Sequence, residues 1–270
     1  MLSKSRIEYL SHGVNWRKGC RHDCLYCYMS CRAGMAKRFD HLAPESGRWA
    51  EPEATVEDPL AEIVGELQGK TTMPQGPIML STSHDPAMDE ECARQSADVV
   101  GALGGFGILD RTMYLTKSPL RALRALNGIG AGEGLRFGCS LTSMGQWLTD
   151  HYEPGAEMPE MRICALVKAH GLGYATWVSL EPPLPDVYLH KLVEEILNLP
   201  GRPWVVLGRL NMRGSPEGDT RLQELAHWAQ SDHWAWDRDE AVHRLEQAGY
   251  VESLTPVSGG YWVKRELAAA

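Results

Sequence analysis

The stretch GCRHDCLYCYMSC, residues 19–31, sets four cysteines within twelve positions, and the first three are spaced Cys20-x3-Cys24-x2-Cys27. Free cysteine elsewhere in a chain is usually just a small buried hydrophobe, and Cys92, Cys139 and Cys164 are read that way. Four thiols this close together ask for a ligand. The chain holds seven cysteines in 270 residues, an odd number, and its opening residues, MLSKSRIEYLSHG, lack the apolar core of a secretion signal. Reduced thiols, available as ligands, are therefore expected in a cytoplasmic protein. The most apolar run, VVGALGGFGIL at 99–109, is far short of a membrane span.

Structural zinc wants a closed set of four ligands, commonly two well-separated pairs, and no second C-x2-C or histidine pair follows at that spacing. A cubane iron–sulfur cluster held wholly by protein also needs four thiolates. Three would leave one iron with an open coordination position, as catalytic metal sites do and structural ones do not. Both readings stay open here. In one, Cys20, Cys24, Cys27 and Cys31 form a non-enzymatic four-cysteine metal-binding or electron-transfer centre; in the other, Cys31 lies outside the ligand set.

Outward from this stretch the charge is uneven. Residues 1–48 hold nine Lys and Arg against four Asp and Glu, or +5, while residues 49–100 hold two against eleven, or −9. The net charge of −8 argues against a uniformly basic, DNA-coating surface, but a basic rim beside the cysteines suits local docking of an anionic ligand. Composition is otherwise that of an ordinary globular protein, 43% hydrophobic and 23% charged.

The chain then alternates strands and helices. Apolar runs predict strands near 12–16, 77–82, 111–118, 135–142, 174–182 and 203–210. Helical periodicity predicts helices at about 55–68, 88–103, 157–170, 187–198 and 219–230, with a short one opened by Pro119. Such alternation implies an α/β fold with a parallel sheet and right-handed crossovers, and six units make a partial (βα)6 TIM-like barrel. The core is expected over 1–211, with a C-terminal extension at 212–270 that closes the barrel or contacts substrate. In that extension DRDEAVHRLEQAGY reads as a helix and VESLTPVSGGYWVKREL as a hairpin around Gly259-Gly260. Trp228, Trp234 and Trp236 lie within nine residues of one another and read first as a core plug.

In barrels of this kind the chemistry sits at the C-terminal strand ends. Polar residues gather there: Ser81, Thr82, Ser83, His84 and Asp85; Thr116, Lys117 and Ser118; Ser140 and Thr142; Glu181; Arg209 and Asn211.

C-x3-C-x2-C with Tyr26 just before the third cysteine resembles the signature of the radical S-adenosylmethionine superfamily. STSHDPAMDEE, YLTKSPLRAL and EPGAEMPEMRI are similar, in the same order, to strand-end stretches of its spore photoproduct lyase-like branch. The resemblance spans roughly residues 12–200. It implies a [4Fe–4S] cluster on Cys20, Cys24 and Cys27, with S-adenosylmethionine chelated by the fourth iron. It implies further that Ser81, Thr82, Ser83 and Asp85 replace the stretch that receives the methionine amine. Lys117 and Ser140 would meet the carboxylate and ribose, Tyr26 would lie near the adenine, and Glu181 would complete the cofactor contacts.

The implied chemistry is reductive cleavage of the sulfonium and hydrogen abstraction from a substrate, with flavodoxin or ferredoxin as electron donor. Cys31, His84, Arg209 and Arg213 are the candidates for catalysis or for holding that substrate. The branch implies a thymine-like base in DNA or a nucleotide, extruded into a pocket. The lyase's hydrogen-donor cysteine has no counterpart between Cys31 and Cys92. Modification or isomerisation, including of a decorated thymine in viral DNA, is thereby favoured over repair of the spore lesion. A small metabolite or peptide substrate is the remaining alternative.

Overall fold

Six short apolar runs become neighbouring strands of one sheet. The computed structural model describes residues 1–27, 29, 49–130, 132, 134–184, 187–210, 223–225, 227–228 and 233–264. Its strands are β1 (Leu2–Lys4), β2 (His12–Val14), β3 (Arg17–Lys18), β4 (Glu53–Ala54), β5 (Ile78–Leu80), β6 (Thr112–Thr116), β7 (Arg136–Ser140), β8 (Ala175–Leu180), β9 (Trp204–Leu207), β10 (Val251–Glu252) and β11 (Gly260–Val263). Its helices are α1 (Pro59–Gln68), α2 (Glu90–Gly105), α3 (Pro119–Leu126), α4 (Gln146–Tyr152), α5 (Pro159–Gly171), α6 (Leu189–Leu197) and α7 (His233–Gln247).

The main sheet runs β1-β2-β5-β6-β7-β8-β9-β11-β10 and does not close. From β2 to β9 every pairing is parallel and follows chain order, the partial barrel expected of six βα units. β1, which the sequence pattern does not announce, pairs antiparallel with β2, and β3 and β4 form a separate two-stranded pair.

Alternating strand residues face opposite sides of the sheet. Met79, Met113, Trp177, Trp204 and Val206 gather on one side with Tyr9, whose ring meets Trp204 edge-on at 5.4 Å. Ile78, Leu80, Tyr114 and Phe137 pack on the other side against Ile63, Leu103 and Leu123 of α1, α2 and α3. Val205 and Leu207 pack likewise against α6 and α7. Gly138 lets the Trp177 indole lie flat on β7, since a Cβ there would come within 2.5 Å of the ring. Local signals start the helices: the Asp58 and Asp89 side chains accept the Ala61 and Cys92 N–H groups at 3.0 and 2.8 Å, and Pro119 opens α3.

Two expectations are corrected. The tail is a helix followed by two strands, but β10 and β11 pair in parallel, not as a hairpin, and β11 adds beside β9. The open β9 edge offers unpaired backbone groups, and the apolar Tyr261, Trp262 and Val263 supply a strand that covers them. Once β11 lies there, Ser253–Gly259 must loop back, and Gly259 turns at φ +67° to do so. Cys164 is exposed, because α5 turns Arg162, Ala165, Leu166 and Ala169 inward, whereas Cys92 and Cys139 are buried. The helix expected at 219–230 falls largely outside the described residues, and 223–225 and 227–228 are helical. The tryptophans divide: Trp234 is buried in the core and Trp236 is 59% exposed. Among the described residues no helix is long and apolar enough to cross a membrane.

Candidate metal centre

The cysteine loop follows β3 and has no regular secondary structure, so its course depends on side-chain and backbone tethers. Gly19 enters it at φ +89°, and Cys20 N–H donates to the Trp49 carbonyl at 2.8 Å. The segment after β7 holds the middle: Leu25 N–H donates to Tyr152 O at 3.0 Å and Gly155 N–H to His22 O at 3.1 Å. Gly155 lies so close that a Cβ would sit 2.4 Å from the Arg21 carbonyl.

Cys20 and Cys24 are buried and Cys27 is half-buried. Burial pushes the Cys20 thiol well above the usual range, and the neighbouring Asp85, Cys24 and Cys27 charges push it further. Burial also raises Cys24, against the nearby Lys117 ammonium, which favours its thiolate. The three thiols are thus near enough to oppose one another's ionisation and need a compensating positive charge to be held together as thiolates. A donor set of sulfurs alone suits iron–sulfur or zinc chemistry, not a hard cation, and so fits the implied cluster. Among the described residues no three His, Cys, Asp or Glu side chains close into a single-ion site.

Two buried carboxylates stand behind the loop. Asp85, after β5, accepts from Thr116 Oγ1 at 2.6 Å, Ala87 N–H at 2.8 Å and Lys117 N–H at 2.7 Å, and His22 Nε2 lies 3.2 Å from its Oδ2. Burial alone would raise the Asp85 pKa; the His22 ring and these hydrogen bonds outweigh it and hold the carboxyl well below the usual carboxylate range. Glu153, after α4, accepts from the Tyr26 hydroxyl, from Thr142 Oγ1 at 2.9 Å and from Arg162 Nη2 at 2.5 Å. Glu153 and Arg162 are both fully buried, and Arg162 also donates to Ser140 O at 2.9 Å.

The remaining expected residues fall into place around this frame. Lys117 Nζ lies 5.4 Å from the Tyr26 ring centroid. Ser81, at φ +66°, donates to His84 O at 2.7 Å, Ser83 donates to Arg17 O at 2.6 Å, and Thr82 N–H donates to Asn15 Oδ1 at 2.7 Å. These bonds tie the β5 end to β2 and β3. His84 is buried against Trp16, with ring centroids 4.5 Å apart, and its Nδ1 lies 2.8 Å from Ser81 Oγ. Burial pushes its pKa down to about 3, and its Nε2 has no hydrogen-bond partner. Ser140 is buried at the β7 end. Glu181, just after β8, pairs with Lys264, just after β11, and Arg209 follows β9. Cys31 and Arg213 lie outside the described residues.

His22, Asn15, Glu153 and Arg162 were not singled out from the sequence. His22 is nonetheless inside the C-x3-C spacing, and Glu153, Gly155 and Arg162 all belong to the EPGAEMPEMRI stretch.

The fold and the loop define a class: an open, parallel α/β partial barrel that carries a three-thiol loop at the C-terminal ends of its strands. Solved structures of spore photoproduct lyase share this fold. One complexed with dinucleoside spore photoproduct aligns at TM-score 0.64 and 14% identity, covering 98% of this chain and 79% of that one. A mutant with bound AdoMet and dinucleoside spore photoproduct aligns at TM-score 0.63 and 14% identity, covering 97% and 78%. No protein-family profile matches the sequence, and no curated protein matches it.

Proposed function

We propose that the protein is a radical S-adenosylmethionine enzyme whose substrate is a thymine-like base in DNA or a nucleotide. The observation that carries this reading is the placement of Cys20, Cys24 and Cys27 at the strand ends of a barrel that matches spore photoproduct lyase over 98% of the chain. Cys20, Cys24 and Cys27 would hold a [4Fe–4S] cluster and leave one iron for S-adenosylmethionine. The pair, once bound and reduced, supplies one-electron cleavage chemistry that removes a hydrogen atom from the substrate.

The chain's own residues bind, orient and exclude water. Lys117 offers a compact positive charge beside Cys24 and over Tyr26, suited to the methionine carboxylate. The Tyr26 ring, held through its hydroxyl by Glu153, is a fixed wall for an adenine. Asp85 spends its oxygens on Thr116, Ala87, Lys117 and His22, so its part is to keep the strand ends together. The dinucleoside ligand of the structural neighbour supports a nucleotide or DNA substrate, and base modification or isomerisation is the outcome favoured by the cysteine-free interval before Cys92. The reading includes a flavodoxin- or ferredoxin-type donor and a cytoplasmic setting.

The test is anaerobic reconstitution followed by iron and sulfide analysis and by 5′-deoxyadenosine formation with DNA, nucleosides or metabolite pools. C20A, C24A and C27A should each lose the cluster while C31A retains it. Loss with C31A would favour four-cysteine ligation. A 5′-deoxyadenosine yield indifferent to nucleic acid would remove the proposed substrate class.

A further inference from the structure

Of the three residues between Cys20 and Cys24, only the middle one turns inward: Arg21 and Asp23 are exposed, whereas His22 is 1% exposed. Both of its ring nitrogens are committed. Nδ1 lies 2.7 Å from the Gly155 carbonyl, and Nε2 lies 3.2 Å from Asp85 Oδ2 and 3.4 Å from Ser118 Oγ. One imidazole therefore joins the cysteine loop to the ends of β5 and β6 and to the segment after β7. We propose that His22 is a positioning residue for the thiols, fixing with Asp85 the pitch of the Cys20–Cys24 segment and thereby the geometry and potential of the cluster it would hold.

The physical case rests on what else could hold that segment. It has no helix or strand ladder of its own; Cys20 N–H, His22 O and Leu25 N–H are tethered through the backbone to Trp49, Gly155 and Tyr152, and the His22 ring adds a buried side-chain tie to the ends of β5 and β6. Burying an imidazole and a carboxylate is costly unless they are paired and hydrogen-bonded, so a pair set behind a loop this short is a poor device for bulk stability. It is a good device for orientation, because groups that hold ligand residues from behind set the direction of the donor atoms. Asp85 is held by Thr116, Lys117 and Ala87 whether or not His22 is present, so it is a rigid anchor and His22 the moving part.

The potential depends on the proposed cluster, but the thiol geometry does not, and the experiment separates them. In cluster-free protein, alkylation of Cys20 and Cys24 by iodoacetamide is followed by mass spectrometry against the exposed Cys164 of α5 as internal standard, since the Cys92 thiol touches the Asp85 carbonyl. H22A should accelerate both loop cysteines about tenfold relative to Cys164, the opening expected when one hydrogen bond to a charged group is lost. H22Q should restore part of the protection, and H22A/D85N should exceed neither single variant by much, as for two members of one contact. H190A, which removes a comparable buried histidine paired instead with Asp237 of α7, should leave the ratio unchanged.

After reconstitution, H22A should shift the cluster midpoint potential and H22Q should bring it back toward wild type. Equal alkylation ratios in wild type and H22A, with both folded by circular dichroism, would overturn the proposal. If H22A does not fold, H22Q and D85N carry the same comparison. A wild-type protein that takes up no iron would end the cluster reading, while the alkylation ratios would still decide the role of His22.

Discussion

Two buried histidine–aspartate pairs do different work in this molecule. In α6 and α7, His190 Nδ1 lies 2.7 Å from Asp237 Oδ1, and the same carboxylate accepts the Leu189 and His190 backbone N–H groups. Asp237 thus caps one helix from another, and its partners are all local to that junction. In the cysteine loop, His22 and Asp85 are 63 residues apart, and Asp85 collects donors from Thr116, Lys117 and Ala87. The first pair finishes a helix end. The second pulls an irregular loop onto the ends of β5 and β6. Similar chemistry therefore serves stability in one half of the sheet and geometry in the other.

The comparison can be pressed hardest on the cysteine side, where a third buried pair, Glu153 and Arg162, is fully enclosed. Arg162→Met leaves the buried Glu153 carboxyl without its cationic partner, with the Tyr26 and Thr142 hydroxyls still donating to it, and urea unfolding should register a loss of about 3–5 kcal/mol. A loss below about 1 kcal/mol would mean that this pair is not the rigid frame behind Tyr26. Asp237→Ala removes a cap and the His190 partner together, with an expected loss of about 2 kcal/mol in the same assay. Iron content after reconstitution should be unchanged by it. Iron loss there would dissolve the distinction between the two pairs.

The smallest effect concerns acid. Burial holds His84 neutral down to about pH 3, whereas in the unfolded chain it takes up a proton near the ordinary imidazole value of about 6.5. Unfolding therefore gains protons as the pH falls below that value, and the folded state loses stability progressively until His84 itself titrates. By pH 5.5 the loss should be about 1 kcal/mol. H84Q should flatten the decline in a series of urea titrations between pH 7 and 5, and an unchanged slope would assign it to other groups.

Much of this arrangement is legible in the residues. The apolar runs around 77–82, 111–118, 135–142, 174–182 and 203–210 become β5 to β9 in the expected order, because buried parallel strands need continuous apolar stretches of that length. The strand-end polar residues and the cysteine spacing mark the same edge of the sheet. What escaped was pairing at a distance. The resemblance places Asp85 among the cofactor contacts; what the sequence does not show is that its oxygens are engaged by neighbours up to 63 residues away. Glu181 likewise meets Lys264, 83 residues on.

The tail shows the same limit from the side of the backbone. Its apolar alternation and Gly259-Gly260 announce strands and a turn, but local pattern carries no information about which edge a strand will join. The vacant flank of β9 decided that β11 runs parallel beside it. From the sequence alone came the α/β alternation and the three-residue and two-residue spacings of the cysteines, since these depend on periodicity and covalent distance. Tertiary structure alone decided which buried charges are paired and which histidine stands behind the thiols. Those outcomes depend on desolvation and on contacts between segments that the chain brings together only when it folds.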